Sequence, residues 1–333
     1  MTMLRERAEA LLEKMKGRRI LVVGDLMLDR YILGGVTRIS PEAPVPVVHV
    51  ESERSVPGGA SNVALNVTAL GGVGSVAGMV GTDRDGDELL EQLRLRGIET
   101  GAVLRDAEHR TTVKTRILAE RQQVVRVDWE DAYTYSGEAF ERFQAGLRKE
   151  IAAADGVVIE DYGKGVITPQ VAQTTLSIAN EKGVPVGLDP KDNHELGLRG
   201  ITLATPNRKE AFIAAGLPES RPVDPPLQDV RLLKVADKLF EHMSPAMLLI
   251  TLGAQGMLMV RAGSSPVHVP TRAREVFDVS GAGDTVIATC LLAIAAGASF
   301  IEAAEIANYA AGVVVGKLGT ATCSPDEILK ALP

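Results

Sequence analysis

From residue 137 onward the chain alternates short apolar runs with segments of helical length, and this alternation constrains the fold more than any other feature. A helix over 137–150 leads to the run GVVIED, a helix over 168–182 to VPVGLD. ITLAT, helices over 208–215 and 228–242, and the runs AMLLITL and GMLMV follow, then helices over 282–296 and 300–316. Strands that alternate with helices close most simply as a parallel sheet with helices on both faces. The runs are almost continuously apolar, as strands covered on both faces must be. Aromatic residues are only 4% of the chain while Gly, Ala and Val are abundant, which suits closely packed helices and offers few rings for stacking bases.

The first third is built differently. Apolar positions at helical spacing (Leu4, Ala8, Leu11, Leu12, Met15) predict a helix over 4–17, and RRILVVGDL reads as a buried strand ending on Gly24 and Asp25. Then YILGGVTRIS and VPVVHVES flank Pro41, Pro44 and Pro46, which exclude a helix there. Residues 30–55 read as two exposed strands joined by a rigid loop. A helix over 59–70, a strand over 75–80 and a helix over 85–96 ending at Gly97 come next. TTVKTRIL and QVVRVDW, at 111–129, resemble the 30–55 strands. The two excursions together predict a small β-sheet set apart from the main one.

The net charge of -7 supplies no basic field for nucleic acid or anionic lipid. The charged N-terminus lacks the apolar core of a signal peptide, and TVIATCLLAIAAGASF is too short to span a bilayer. A cytoplasmic protein without membrane or nucleic-acid partners is expected. Cys290 and Cys323 belong to no CxxC pair and read as buried thiols. The five histidines lack metal-ligand spacing.

Chemistry is concentrated in EVFDVSGAGDTVIATCLLA. Gly281, Ala282 and Gly283 open an apolar helix, where main-chain N–H groups can converge on an anion and small residues let a phosphate approach. Asp284 then stands beside that anion. An oriented carboxylate next to a phosphate hole is what phosphoryl transfer to a hydroxyl requires, with Asp284 as base and the 281–283 amides holding charge. Taken alone, the same run is equally a glycine-rich helix cap.

This run resembles the signature of the ribokinase (PfkB) family of carbohydrate kinases, and the likeness extends over about 18–330. PGGASNVALNVTALG is similar to the family's sugar-binding segment, which implies Gly58, Gly59 and Asn62 as sugar contacts, and GDLMLDRY supplies Asp29. TPNRKEA resembles the family's Asn-x-x-Glu element, which implies that Asn207 and Glu210 organise Mg²⁺, through water, near the phosphates of ATP. The resemblance also implies Thr251, Gly253 and Gly256 along the nucleotide and Asn308 near adenine. Lys191 either reaches a phosphate or is a solvated surface lysine. The implied fold is α/β and ribokinase-like: a doubly wound, mostly parallel sheet flanked by helices, a single domain over 1–333 with a lid at about 30–55 and 111–129. The lid excludes water and, in related kinases, pairs between subunits, so a homodimer is expected. A monovalent cation such as K⁺ is left open as a further cofactor.

The segment RISPEAPVPVV, with EDYGKGV and GAGDTVIAT, resembles the heptose-kinase branch, which phosphorylates D-glycero-β-D-manno-heptose 7-phosphate at C1 on the way to ADP-heptose and lipopolysaccharide. Val286 agrees with that branch where many sugar kinases carry an aromatic residue. The chain ends at Pro333 without a second nucleotide-binding pattern, so a stand-alone kinase without an adenylyltransferase domain is expected. A distal phosphate requires a cation: Arg38, Lys114, Arg116, Arg126 and Lys164 are candidates, with Lys164 favoured for its flanking glycines. The alternatives are a family kinase for another sugar, sugar phosphate or nucleoside, and a non-catalytic sugar-binding protein. A nicotinamide-dependent oxidoreductase is disfavoured because GDLMLDR lacks GxGxxG.

Overall fold

The computed structural model describes residues 3–120, 122–273 and 275–333. The chain runs α1 (Arg5–Met15), β1 (Arg19–Gly24), β2 (Leu26–Ile39), β3 (Pro46–Gly59), α2 (Ala60–Ala69), β4 (Val73–Gly81), α3 (Arg84–Leu95), β5 (Glu99–Asp106), β6 (Thr112–Ala119) and β7 (Gln122–Trp129). It continues through α4 (Gly137–Ile151), β8 (Gly156–Glu160), α5 (Pro169–Lys182), β9 (Val186–Asp189), β10 (Leu203–Ala204), α6 (Arg208–Ala214), α7 (Val230–Met243), β11 (Met247–Thr251), β12 (Met257–Arg261) and β13 (Val267–Val269). The last helices are α8 (Ala282–Ala295), α9 (Phe300–Val314) and α10 (Pro325–Ala331).

Among the described residues nine strands form one sheet, in the order β13-β12-β11-β10-β9-β8-β1-β4-β5. All neighbours are parallel except where β12 meets β11 and β13. Successive side chains of a strand point to opposite faces, and each face has its own core. Ile20 and Val22 of β1 join Met247 and Leu249 of β11 under α1, α2, α8 and α9. Leu21 and Val23 join Leu248 and Ile250 under α4, α5 and α7. Helix α8 is buried from Asp284 through Ala293, which is why its sequence is apolar all round. Helical length and apolarity there denote a core helix, and among the described residues no helix is long and apolar enough to cross a membrane.

The strand order reverses beside β1: the chain builds outward through β4 and β5, then returns to place β8 on the other side. Such a reversal leaves a crevice at the carboxyl ends of the flanking strands, since the following connections diverge to opposite sides. Gly24, Glu160, Asp189 and Thr251 end β1, β8, β9 and β11 at this edge.

A separate four-stranded sheet, ordered β3-β2-β6-β7, stands over the crevice as the lid. It is mixed: β2 is antiparallel to β3 but parallel to β6. The strands begin earlier and run later than the 30–55 excursion predicted, so that Gly58 and Gly59 lie at the end of β3 and pair with Met27 and Leu26. Strand β5 escaped the sequence pattern because it is an edge strand, half-buried and without clean alternation. The short β13 and α10 escaped it too.

Candidate active site

Gly281 has a φ of +77°, a conformation that L side chains rarely adopt, and it turns the chain into α8. A methyl group there would stand 2.8 Å from Asn62 Nδ2. The turn is fixed by Asp278, whose carboxylate accepts from Ser280 N (2.9 Å) and Gly319 N (3.1 Å). The predicted amide hole is narrower than expected, because the N–H of Ala282 donates to Val279 O at 3.2 Å. The amides of Gly281 and Gly283 remain the candidates for an anion, Gly283 lying in the first turn where no intrahelical acceptor exists.

Asp284 follows and is 6% exposed. It accepts two side-chain hydrogen bonds, from Asn62 Nδ2 to Oδ2 at 2.7 Å and from the Tyr162 hydroxyl to Oδ1 at 2.9 Å. Burial pushes its carboxyl above the usual range, and the two donors pull it back. The same environment raises the Tyr162 phenol far above its ordinary value, through burial and then the Asp284 charge, so it remains a donor. Asn62 is thus a buried partner of the carboxylate, held by the backbone as Asn66 donates to its carbonyl at 2.9 Å. A carboxylate fixed at both oxygens beside an anion hole can take a proton from a hydroxyl placed against it.

Asp29 is also buried, and its charge acts on Asp284. Arg116 donates to its Oδ1 at 2.5 Å. Gly58 lies directly against Asp29, so that a methyl group at 58 would fall on Oδ2. Gly59, at φ +57°, makes the turn into α2.

A cavity of about 170 Å³ opens in front of Asp284. Its walls carry Lys191, Asn207, Glu210, Thr251 and Gly283, as expected, but also Glu160 and Asp189. One carboxylate oxygen from each of Glu160, Asp189 and Asp284 lies within 4.8 Å of the others. Burial raises Glu160 and Asp189 well above the carboxylate range, and the neighbouring charges raise them further. Glu160 Oε2 is buried with no hydrogen-bond partner among the described residues. Sequence reading missed these two acids, although the signal was present: GVVIED and VPVGLD, like ILVVGD, end an apolar run on a carboxylate.

Asn207 and Glu210 form a capping box on α6, with Glu210 N donating to Asn207 Oδ1 at 3.0 Å and Asn207 N to Glu210 Oε2 at 2.8 Å. They therefore stand at the cavity wall as a helix cap, bridged in parallel to Thr251. Gly253 and Gly256 have φ of +57° and +85° around a tight turn, and Gly256 packs on the main chain of 269–271. Asn308 is buried and donates to Pro270 O at 2.6 Å. Through this bond it braces the same 269–271 wall on which Gly256 packs.

Lys164 lies in a tightly turned loop. The glycines beside it serve the loop: Gly163 and Gly165 have φ of +68° and +94°, and Gly165 packs against the backbone of Tyr133. Lys164 Nζ pairs with Glu130 at 2.7 Å. The loop is clamped by buried Asp25, whose carboxylate accepts from the N–H groups of Tyr162 (2.9 Å), Lys164 (3.1 Å) and Val166 (3.1 Å). Asp25 and Tyr162 are site-forming residues that the motifs did not disclose. Of the other cations, Arg126 pairs with Asp128 at 2.9 Å and Arg38 is exposed towards the lid tip.

A carboxylate held at a helix start, in the crevice of a doubly wound sheet under a β lid, defines a class, and the comparisons agree. The profile described as "pfkB family carbohydrate kinase" matches residues 18–327, and the chain belongs to that family. It is by class a carbohydrate kinase. Among its relatives are proteins named "Bifunctional protein HldE". That of Pelobacter propionicus is 42% identical over 98% of this chain and 66% of its own length, and that of Caulobacter sp. (strain K31) 45% over 94% and 62%. The chain therefore spans about two thirds of the length of these relatives. The fold is shared with Arabidopsis thaliana ribokinase complexed with ribose and ATP (TM-score 0.73, 19% identity, covering 95% of this chain and 99% of that one). It is shared equally with phosphofructokinase-2 from Escherichia coli in complex with potassium (TM-score 0.78, 22% identity, 95% and 98%).

Proposed function

We propose that the chain phosphorylates D-glycero-β-D-manno-heptose 7-phosphate at C1, using ATP, with Asp284 as base. The observation that carries the mechanism is the buried Asp284 carboxylate fixed by Asn62 and Tyr162 at the mouth of the acidic cavity. The heptose reading rests on the resemblance of RISPEAPVPVV, EDYGKGV and GAGDTVIAT to heptose kinases.

In this reading the sugar lies between Asp29 and Asn62, with Gly58 and Gly59 allowing it close to the main chain. The anomeric hydroxyl faces Asp284, which takes its proton as the oxygen attacks the γ-phosphoryl group in line. The amides of Gly281 and Gly283 face the phosphoryl oxygens, where charge develops. ATP extends along Thr251, Gly253 and Gly256, while Asn308 holds the Pro270 wall behind them. Lys191 stands where it can meet a phosphate. The lid excludes water and so limits ATP hydrolysis.

The cavity suits Mg²⁺: its donors are hard carboxylate oxygens, mutually repelling, and Glu160 Oε2 lacks a partner among the described residues. Glu160 and Asp189 would hold the ion, with Asn207 and Glu210 ordering its water. Bound there it would offset the charge of the phosphates. A homodimer through the lid strands and a cytoplasmic location belong to the same reading.

A panel of acceptors tests it: heptose 7-phosphate, fructose 6-phosphate, an aldonate and a nucleoside, with ADP release measured and the product's phosphorylated carbon assigned by NMR. The expected product is the 1,7-bisphosphate, and D284N abolishes its formation. Turnover of another acceptor in place of heptose 7-phosphate would overturn the substrate assignment.

A further inference from the structure

Of the cations expected for a distal phosphate, Lys114 in the lid stands apart from the others. In the parallel β2–β6 ladder Lys114 pairs with Asp29, and Arg116 pairs with Tyr31. Residues paired across a ladder project to the same face, so Lys114 shares the face of Asp29 and looks into the crevice. Its ammonium stands over the Tyr162 ring, 5.6 Å from the centroid, and the hydroxyl of that ring bonds Asp284. Lys114 therefore faces the acceptor site from the far side of Tyr162. The neighbouring cations are committed to carboxylates: Arg116 to Asp29, Arg126 to Asp128 and Lys164 to Glu130. Among the described residues Lys114 is in no ion pair.

Lys114 is also in an uncomfortable place. It is half-buried, and burial followed by the nearby positive charge of Lys164 holds its ammonium below the ordinary lysine range. The two ammonium groups repel each other at a partly dry wall; Glu130, Asp29 and Asp128 nearby offset this only in part, so a further anion would be favoured there. We infer that Lys114, with Lys164 beside it, receives an anionic group of the acceptor sugar at the end remote from the reacting hydroxyl. Lys114 is thereby the residue that distinguishes a phosphorylated acceptor from its neutral counterpart. The inference rests on the sugar-kinase reading of the crevice, not on which phosphorylated sugar enters it. Lys164, already neutralised by Glu130, contributes less.

The test is calorimetric binding in a D284N background, which removes turnover, using heptose 7-phosphate and the unphosphorylated heptose. A charge-assisted contact to phosphate is worth about 1.5–3 kcal/mol, or roughly 10- to 100-fold in affinity. K114M should lose that factor for the phosphorylated sugar and leave the neutral sugar unchanged. K114R should retain most of the preference, and K164M should lose less than K114M. Equal weakening of both sugars by K114M would make Lys114 a structural residue and overturn the inference, as would a preference erased by K164M alone. Fructose 6-phosphate and fructose form a second pair. If they bind and the heptose pair does not, the heptose assignment fails, and the K114M ratio on the fructose pair decides the role of Lys114 by the same criterion.

Discussion

Replacing Tyr162 by Phe removes one oxygen atom and leaves the ring that lies under Lys114. The lost group is the hydroxyl that donates to Asp284 Oδ1 at 2.9 Å. It is one of two side-chain donors to a carboxylate that is 6% exposed. A hydrogen bond to a charged group contributes about 1.5–3 kcal/mol, and this one stabilises the ionised form of Asp284 over the protonated form. One pKa unit corresponds to about 1.4 kcal/mol, so the carboxyl should rise by roughly 1–2 units in Y162F. A general base must be ionised to act. The acid limb of kcat/KM against pH should therefore move to higher pH by about 1–2 units, with the loss of rate concentrated below neutrality. The assay is kcat/KM for the sugar from pH 5 to 9, wild type against Y162F, with saturating ATP and Mg²⁺. A limb that stays in place while the rate falls equally at every pH would refute the assignment of Tyr162 as a donor that tunes the base.

Two further substitutions probe the same crevice. In G58A the new methyl falls on Asp29 Oδ2 and forces that carboxylate away from Arg116, so the sugar KM should rise by roughly 10- to 100-fold while kcat changes little; an unchanged KM would remove Asp29 from the sugar site. E160Q addresses stability. The folded state holds the Glu160 proton more tightly than the unfolded state, so its stabilising contribution is full below the ordinary carboxylate value and is lost as pH rises through the raised folded value. In metal-free protein E160Q should flatten this decline and raise Tm at pH 8 by a few degrees, on the order of 1 kcal/mol, and Mg²⁺ should stabilise wild type more than E160Q. Identical pH slopes for the two proteins would show that Glu160 is not the strained carboxylate.

Much of this molecule is legible from short stretches of chain. Apolar runs of strand length and helices with capping residues announce themselves within a dozen residues, because burial on one face imposes a short period. The layered α/β fold, the two excursions of the lid and the turn at Gly281 follow from such local patterns. Asp29, Gly58, Asn62, Asn207 and Glu210 are singled out by resemblance to family motifs, each with members close in sequence, and Asp284 by its place at a glycine-rich helix start. Lys164 shows the limit of that reading. Its flanking glycines suggested room for a phosphate, but they serve the approach of Tyr133 and the bends of the loop.

What the tertiary structure alone decides is which of these residues meet. Asn62 and Tyr162 reach Asp284 across 222 and 122 residues of chain, and Glu160 and Asp189 converge on it because β8 and β9 end side by side next to the reversal of strand order. Parallel pairing brings strand ends together irrespective of their separation along the chain, so no local pattern encodes that proximity. The charge state of the carboxylates depends on burial and on one another, quantities that arise only once the helices close over the sheet. Hence the sequence by itself determined the elements and the carboxylate at the start of α8, whereas packing determined the donors that hold it, the acids that surround it and, among the described residues, the lysine left without an ion pair.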